Sequence, residues 1–236
     1  MPESRRLDLE PAVKVILSTF AVFVGFTLTE TVKSLSTQSL VDWNWQSVAS
    51  LFEDPHWWLL VALVALLLRF IVGSSVHLNH TYVKSLKENA PANEKSSSVA
   101  MLFKDLAFLI IFGILAVFIS RALTDQKALG QLTESNLQSL LSTFEFRCAV
   151  FLSVGLVWSA IDIVCRLIWG AIFDNEWAGW HGRIWIIFDV LQLIYTVWIV
   201  PYFWMTGLAQ AEALGIGYVV FLFIDLQLMI QIPSRW

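Results

Sequence analysis

Residues 57–76 read WWLLVALVALLLRFIVGSSV, an apolar stretch whose single charged side chain is Arg69. A helix of about 20 apolar residues is long enough to cross the hydrocarbon core of a bilayer, which is roughly 30 Å thick. The apolar residues run continuously instead of alternating with polar ones, so the pattern does not fit a membrane β-barrel strand. This stretch therefore predicts a transmembrane helix, and it decides the fold class of the chain.

Similar apolar blocks recur along the 236 residues. Together with the stretch above, the predicted spans are 12–32, 57–76, 101–123, 148–173, 184–204 and 208–232. We therefore expect an all-α, polytopic transmembrane helical bundle of about six spans, which forms a single membrane domain over residues 1–236. No cleavage pattern follows the first block, so we interpret that block as a retained span and not as a removed signal peptide.

The overall composition agrees with a membrane protein. Hydrophobic residues make up 57% of the chain and charged residues 14%, whereas a soluble domain usually carries about 25% charged residues. The formal net charge is −4, and no basic stripe with interleaved aromatic residues is present, so nucleic acid is not an expected partner. The expected partner is the lipid bilayer, and we expect a multi-pass protein of a cell membrane, either a plasma membrane or a bacterial inner membrane.

The connections between the spans predict the orientation of the bundle. Basic residues are concentrated before the first span and after the second, and this bias places both termini in the cytoplasm. Residues 34–56 have the apolar and aromatic content of a short helix that lies in the outer membrane interface. Residues 84–98 are polar and contain Pro91, so they predict a cytoplasmic linker.

The most informative feature is a set of ionisable residues inside the predicted spans. Such residues cost about 3 kcal/mol each on insertion scales, and they usually face a protein interior or a wet cavity. Most of them, including Lys104, fall in the half of the bilayer that is predicted to face the cytoplasm. The candidate pore-lining or ligand-binding residues are Arg69, Asp105, Asp162, Arg166, Asp189 and Asp225. Two structural interpretations stand beside this one: an interhelical ion-pair network that only fixes packing, and arginines that extend to the headgroups.

No sequence motif assigns a chemical reaction to this layer. The chain lacks a G-x-S-x-G nucleophile site, an H-E-x-x-H metal site, a phosphate-binding loop and a potassium filter, so we assign no catalytic residue. His77 and His80 lie one helical turn apart, but no matching carboxylate or cysteine pair is evident near them. We therefore assign no metal ligand and expect no cofactor.

Three functions remain open on the sequence alone. The first is a small channel or transport protein, including a membrane effector triggered by a ligand or a partner, with the charged layer as its cytoplasmic vestibule. Because six helices enclose only a narrow path, we expect a homo-oligomer or a partner membrane subunit. The alternatives are a membrane scaffold or accessory subunit of a larger complex, and an intramembrane lipid-modifying enzyme. An enzyme is the least favoured of the three.

Overall fold

The computed structural model describes residues 10–36, 52–84, 95–125, 134–169, 176–204 and 207–231. Within these ranges the backbone is helical almost throughout and contains no strand. Six helices are long and apolar enough to cross a membrane, which confirms the predicted all-α, multi-pass bundle. Most of the predicted interfacial helix (34–56) and of the predicted linker (84–98) lies outside the described residues. The cytoplasmic location of both termini stays a prediction.

The helices follow one another along the chain. The first four are α1 (Glu10–Ser36), α2 (Pro55–Leu78), α3 (Lys95–Asp125) and α4 (Glu134–Trp169). Helix α5 (Glu176–Ile194) continues through a π-helical segment (Tyr195–Ile199) and a final turn (Val200–Phe203). Helix α6 is Gly207–Gln231, and a second π-helical segment, Asn79–Lys84, continues α2.

Helix α4 differs most from its predicted span, because it begins at Glu134 and not near Cys148. Its 36 residues correspond to about 54 Å at 1.5 Å per residue, which exceeds the roughly 30 Å hydrocarbon core. Leu140, Leu141 and Phe144 are completely buried in the bundle. The first turns of α4 therefore pack with the other helices.

Helix α2 is the central helix of the bundle. Asp54 caps its N-terminus by accepting a 2.9 Å hydrogen bond from the His56 backbone N–H, and Pro55 occupies the first turn, where a missing N–H costs nothing. Of its span, 61% is buried, against 22% for α1 and for α5. Helix α6 packs along α2, and at Gly215 an added Cβ would lie 2.9 Å from the Trp58 carbonyl oxygen. A glycine is therefore required for this close approach.

An aromatic cluster fills the middle of the bundle. The Phe70 ring of α2 lies 3.9 Å from the Phe112 ring of α3 and 5.3 Å from the Phe151 ring of α4, measured between centroids. Trp158 of α4 lies 5.9 Å from Phe70. All four side chains are buried. Phe112 lies about two turns after Asp105 in α3, and Phe151 lies about three turns before Asp162 in α4. These two rings therefore lie closer to the middle of their helices than the aspartates do.

Candidate ion-binding layer

The structure brings the described side chains of the predicted site residues into two clusters at one end of the bundle. The charges come from the C-terminal parts of the spans in α2, α4 and α6 and from the N-terminal parts of the spans Ala100–Thr124 and Ile184–Phe203. Because successive spans run in opposite directions, these parts meet at the same depth. Asp189 and Asp225 join Arg69, whereas Asp162 joins Asp105. Arg166 lies in α4, and its side chain is outside the described residues.

The first group, which we name the arginine cluster, consists of Arg69, Asp189, Gln192 and Asp225. The Arg69 guanidinium places Nη1 2.9 Å from Asp189 Oδ1 and Nε 2.6 Å from Asp225 Oδ2. Nη1 also donates to the Gln192 side-chain oxygen. A guanidinium is a planar fork of donors, so it can bind carboxylates from two different helices at once. Arg69 thereby connects α2 with α5 and α6.

The arginine cluster is closed to its surroundings. The side chains of Arg69, Asp189 and Asp225 are 4%, 7% and 2% exposed. The Trp185 ring covers the guanidinium at 5.5 Å, an arrangement that favours the cation. Trp185 fits there because Gly73 has no side chain: an added Cβ would lie 1.4 Å from Trp185 Cη2. One guanidinium nitrogen, Arg69 Nη2, has no hydrogen-bond partner among the described residues.

Local structure in α5 explains how Asp189 and Gln192 reach Arg69 together. The two residues are one turn apart on the helix, so they share a face. The Thr196 hydroxyl donates to the Gln192 backbone carbonyl at 2.8 Å, inside the π-helical segment. That segment precedes Pro201, whose missing N–H interrupts the regular hydrogen-bond ladder. Helix α5 therefore changes its register one to two turns beyond the arginine cluster.

The second group, which we name the lysine cluster, consists of His77, Tyr82, Lys104, Asp105, Trp158 and Asp162. Lys104 Nζ lies 3.0 Å from Asp105 Oδ1 and also binds Asp162 Oδ1. On the other side of both carboxylates, His77 Nε2 lies 3.8 Å from Asp105 Oδ2 and 3.8 Å from Asp162 Oδ2. The two aspartates are therefore held between an ammonium group and an imidazole.

Asp105 is the best-bound carboxylate of the lysine cluster. The Tyr82 hydroxyl donates to Oδ2 at 2.5 Å, and the Trp158 indole N–H donates to Oδ1 at 2.8 Å. Tyr82 comes from the π-helical segment that continues α2, and its side chain is buried. Wide helical turns of this kind occur frequently at functional sites.

A narrow cleft runs beside the arginine cluster and reaches the lysine cluster. Its lining includes Arg69, Asp189, Ser159, Trp185 and Trp158, the last of which also binds Asp105. The free volume at its centre is about 20 Å³, which is close to the room that a single water molecule needs. The cleft therefore offers a small, mainly apolar space beside Arg69 and Asp189.

Sequence reasoning missed Tyr82 and Trp158 as contributors to the lysine cluster, and it considered His77 only as a pair with His80. A signal for His77 existed, because Arg69, Gly73 and His77 recur every four residues and lie on one stripe of α2. No comparable signal existed for Tyr82, since the π-helical segment shifts its direction. Asp105 and Asp162 are the carboxylate pair for His77, and they are distant from it in sequence. His77, Asp105 and Asp162 place one ligand atom each within 4.8 Å of the others, as a metal ion would require.

No protein-family model, no curated protein and no solved structure matches this chain.

Proposed function

We propose that the protein is a small cation channel or transporter whose intramembrane carboxylates bind the ion on its path. The observation that carries this proposal is the charge of the arginine cluster. A single guanidinium, Arg69, faces two buried carboxylates, Asp189 and Asp225. The cluster therefore has one formal negative charge in excess, and a cation is the species that such a site attracts.

The physical basis is the cost of an uncompensated charge inside a membrane protein. An isolated ionised carboxylate is very costly to bury in a low-dielectric medium, whereas a paired one is tolerated. Across the whole layer the formal count remains negative. Counted from the sequence, four aspartates stand against three basic residues, Arg69, Lys104 and Arg166. A mobile cation that neutralises the remaining carboxylate would be bound in the layer and still be able to leave it.

The aromatic cluster favours a gated or alternating path over a permanently open one. Phe70, Phe112 and Phe151 pack against one another and line the cleft that Arg69 and Asp189 also line. An ion that enters the layer has to wait for these rings to separate, which requires a second helix arrangement. A ligand or a partner that binds that second arrangement more tightly would open the path. This is the triggered version of the proposal.

Assembly into an oligomer is part of the proposal. Only 22% of the α1 span and of the α5 span is buried within one chain. The end of α5 carries Trp198, Tyr202 and Phe203, each more than two-thirds exposed. Such surfaces suit lipid, a second copy or a partner membrane subunit, and symmetry between subunits would provide a wider path than one chain provides.

Flux into liposomes tests the proposal directly. The purified protein is reconstituted, and uptake of K⁺ and Na⁺ is compared with that of chloride. Asp189→Asn and Asp225→Asn are expected to lose most of the cation flux, because each removes the excess negative charge while preserving shape. The matched control is Glu30→Gln, which changes an exposed intramembrane carboxylate on α1. Equal flux in all three variants, or no flux above empty liposomes, would contradict the proposal.

A scaffold or accessory subunit is the second candidate, and one observation favours it. Arg69 joins three helices through two ion pairs, so it also acts as a brace for the packing of α2, α5 and α6. On this alternative, Asp189→Asn and Asp225→Asn leave flux at the level of empty liposomes but change the assembly size. Size-exclusion chromatography coupled to light scattering on the same samples separates the two candidates.

A further inference from the structure

We infer that His77, Asp105 and Asp162 form a binding site for a divalent first-row transition-metal cation. The inference extends the proposed function by naming the class of ion that is bound. Only the idea that this ion is also transported rests on the proposed function. Binding itself stands on the lysine cluster alone. The three side chains come from α2, α3 and α4 and lie at one end of the bundle.

The spacing of the ligand atoms fits an ion held between them. His77 Nε2 lies 3.8 Å from Asp105 Oδ2 and 3.8 Å from Asp162 Oδ2. These separations are too long for hydrogen bonds. Two ligands that each lie about 2.1 Å from a tetrahedral ion are themselves about 3.4 Å apart. A contraction of a few tenths of an ångström would bring His77 Nε2 to this spacing from each carboxylate, and all three ligand atoms lie within 4.8 Å of one another.

The imidazole is the second observation that points to a ligand. His77 Nε2 is buried and has no hydrogen-bond partner among the described residues, although it faces two carboxylate oxygens. Buried polar atoms are normally satisfied, so an unpartnered one needs an explanation. A metal ion would be the missing partner. The His77 side chain as a whole is 28% exposed, so the site lies near the edge of the bundle.

The other oxygens of the two carboxylates show that this place already stabilises positive charge. Asp105 Oδ1 and Asp162 Oδ1 both bind the Lys104 ammonium group, on the side away from His77. The described side chains thus use one oxygen of each carboxylate for an internal cation. The Oδ2 atoms and the imidazole form the face on which we place the metal ion.

The surroundings of Asp105 resemble the outer support of metal ligands in proteins. Carboxylates that bind a metal are usually hydrogen-bonded in turn, which fixes their orientation. Here the Tyr82 hydroxyl and the Trp158 indole N–H hold Asp105 on both oxygens. The π-helical segment directs Tyr82 to this position, so the widened helix has a specific role in the site.

The mixed ligand set selects the class of ion. Imidazole favours zinc, iron, nickel and copper, whereas carboxylates alone favour magnesium, calcium and manganese. One imidazole with two carboxylates therefore suits Mn²⁺, Fe²⁺, Co²⁺ and Zn²⁺. The nearby Lys104 weakens binding of any cation by repulsion, so it keeps the site reversible.

The test uses the full-length protein in detergent, freed of metal with a chelator and titrated with Zn²⁺ by calorimetry and with Co²⁺ by visible absorption. We expect one ion per chain. Losing an outer hydrogen-bond partner of a metal ligand typically lowers the metal affinity about 10- to 100-fold, and Tyr82→Phe should fall inside that range. His77→Gln and Asp162→Asn each remove a ligand, so they should lower the affinity by more. Lys104→Gln should tighten binding. The control is His56→Gln, at the opposite end of α2, which should bind as the unaltered protein does.

A variant that gains a spectroscopic signal tests the site even if the variants that lose a ligand are unstable. In His77→Cys, bound Co²⁺ should acquire a sulfur-to-cobalt charge-transfer absorption that the unaltered protein, which already contains Cys165, does not show. Absence of binding, or binding that His77→Gln and Asp162→Asn leave unchanged, would overturn the inference. Metal binding without flux of K⁺, Na⁺ or the bound metal ion would support the inference and contradict the proposed function. Flux without metal binding would contradict the inference and support the proposed function.

Discussion

The arginine cluster and the lysine cluster are each built from one cationic side chain and two aspartates, yet their surroundings differ. Arg69 is 4% exposed and pairs with carboxylates of two other helices. Lys104 is 17% exposed, and one of its two partners is its neighbour in sequence, Asp105. The rigid guanidinium fork acts as a closed brace between helices, whereas the flexible ammonium group lies in a site open at His77. Burial and partner geometry, not composition, separate the two clusters.

Removing each cation should produce the largest difference between the clusters. Arg69→Gln leaves two carboxylates buried without a partner, so we expect a loss of about 3–5 kcal/mol in the free energy of unfolding. Lys104→Gln should cost about 1–3 kcal/mol, because its site is partly solvated and still contains His77. Denaturant titration in mixed micelles measures both values. Equal losses would show that the lysine cluster is as closed as the arginine cluster.

Removing the Tyr82 hydroxyl group tests how much one hydrogen bond to Asp105 contributes to the stability of the lysine cluster. Tyr82→Phe deletes the hydrogen bond that the buried Tyr82 donates to Asp105. Hydrogen bonds to charged groups contribute about 1.5–3 kcal/mol, so we expect a loss of that size. The control is Tyr202→Phe, since Tyr202 is 73% exposed and should change stability very little. A Tyr82→Phe protein as stable as the control would contradict the assigned contact.

Adding one methyl group tests whether the cover over Arg69 is tightly packed. In Gly73→Ala the new Cβ collides with the Trp185 ring, so Trp185 has to move away from the guanidinium. Overpacking of this kind costs about 1–3 kcal/mol. The matched control is Gly25→Ala, where nothing lies within 4 Å, and which should stabilise α1 by up to about 1 kcal/mol. Thermal unfolding of both variants checks the contrast.

The smallest effect is expected at Gln192. Its side-chain oxygen accepts from Arg69, but its Nε2 is buried and unpartnered among the described residues. Gln192→Met therefore loses one hydrogen bond and also removes one unsatisfied buried group, and the two terms nearly cancel. We expect a change within about 1 kcal/mol of zero. A loss as large as that of Arg69→Gln would mean that Gln192 is an essential member of the arginine cluster.

Much of the charged layer was predictable from the sequence, because the position of a residue along a membrane span fixes its depth in the bilayer. The placement of Asp105 and Asp189 near the starts of their spans, and of Asp162 and Asp225 near the ends, predicts that all four lie in one half of the bilayer. The ion pairs that Arg69 and Lys104 form with these aspartates agree with this placement. The ion-binding role assigned to these residues stays a prediction, and so does that of Arg166. Helix α4 begins at Glu134, before the predicted span 148–173, because residues 134–147 are too polar to be recognised as part of a span by hydropathy although they continue the helix.

The sequence by itself determined that this chain is a membrane bundle of six helices and that its buried charges share one depth. Hydropathy and helical rise are local properties, so residues near each other in the chain suffice to establish both. Only the tertiary structure decided that Arg69 pairs with Asp189 and Asp225 while His77 faces Asp105 and Asp162. Those partners are far apart in sequence, and their meeting depends on the rotation of each helix about its axis and on the π-helical segments that change it.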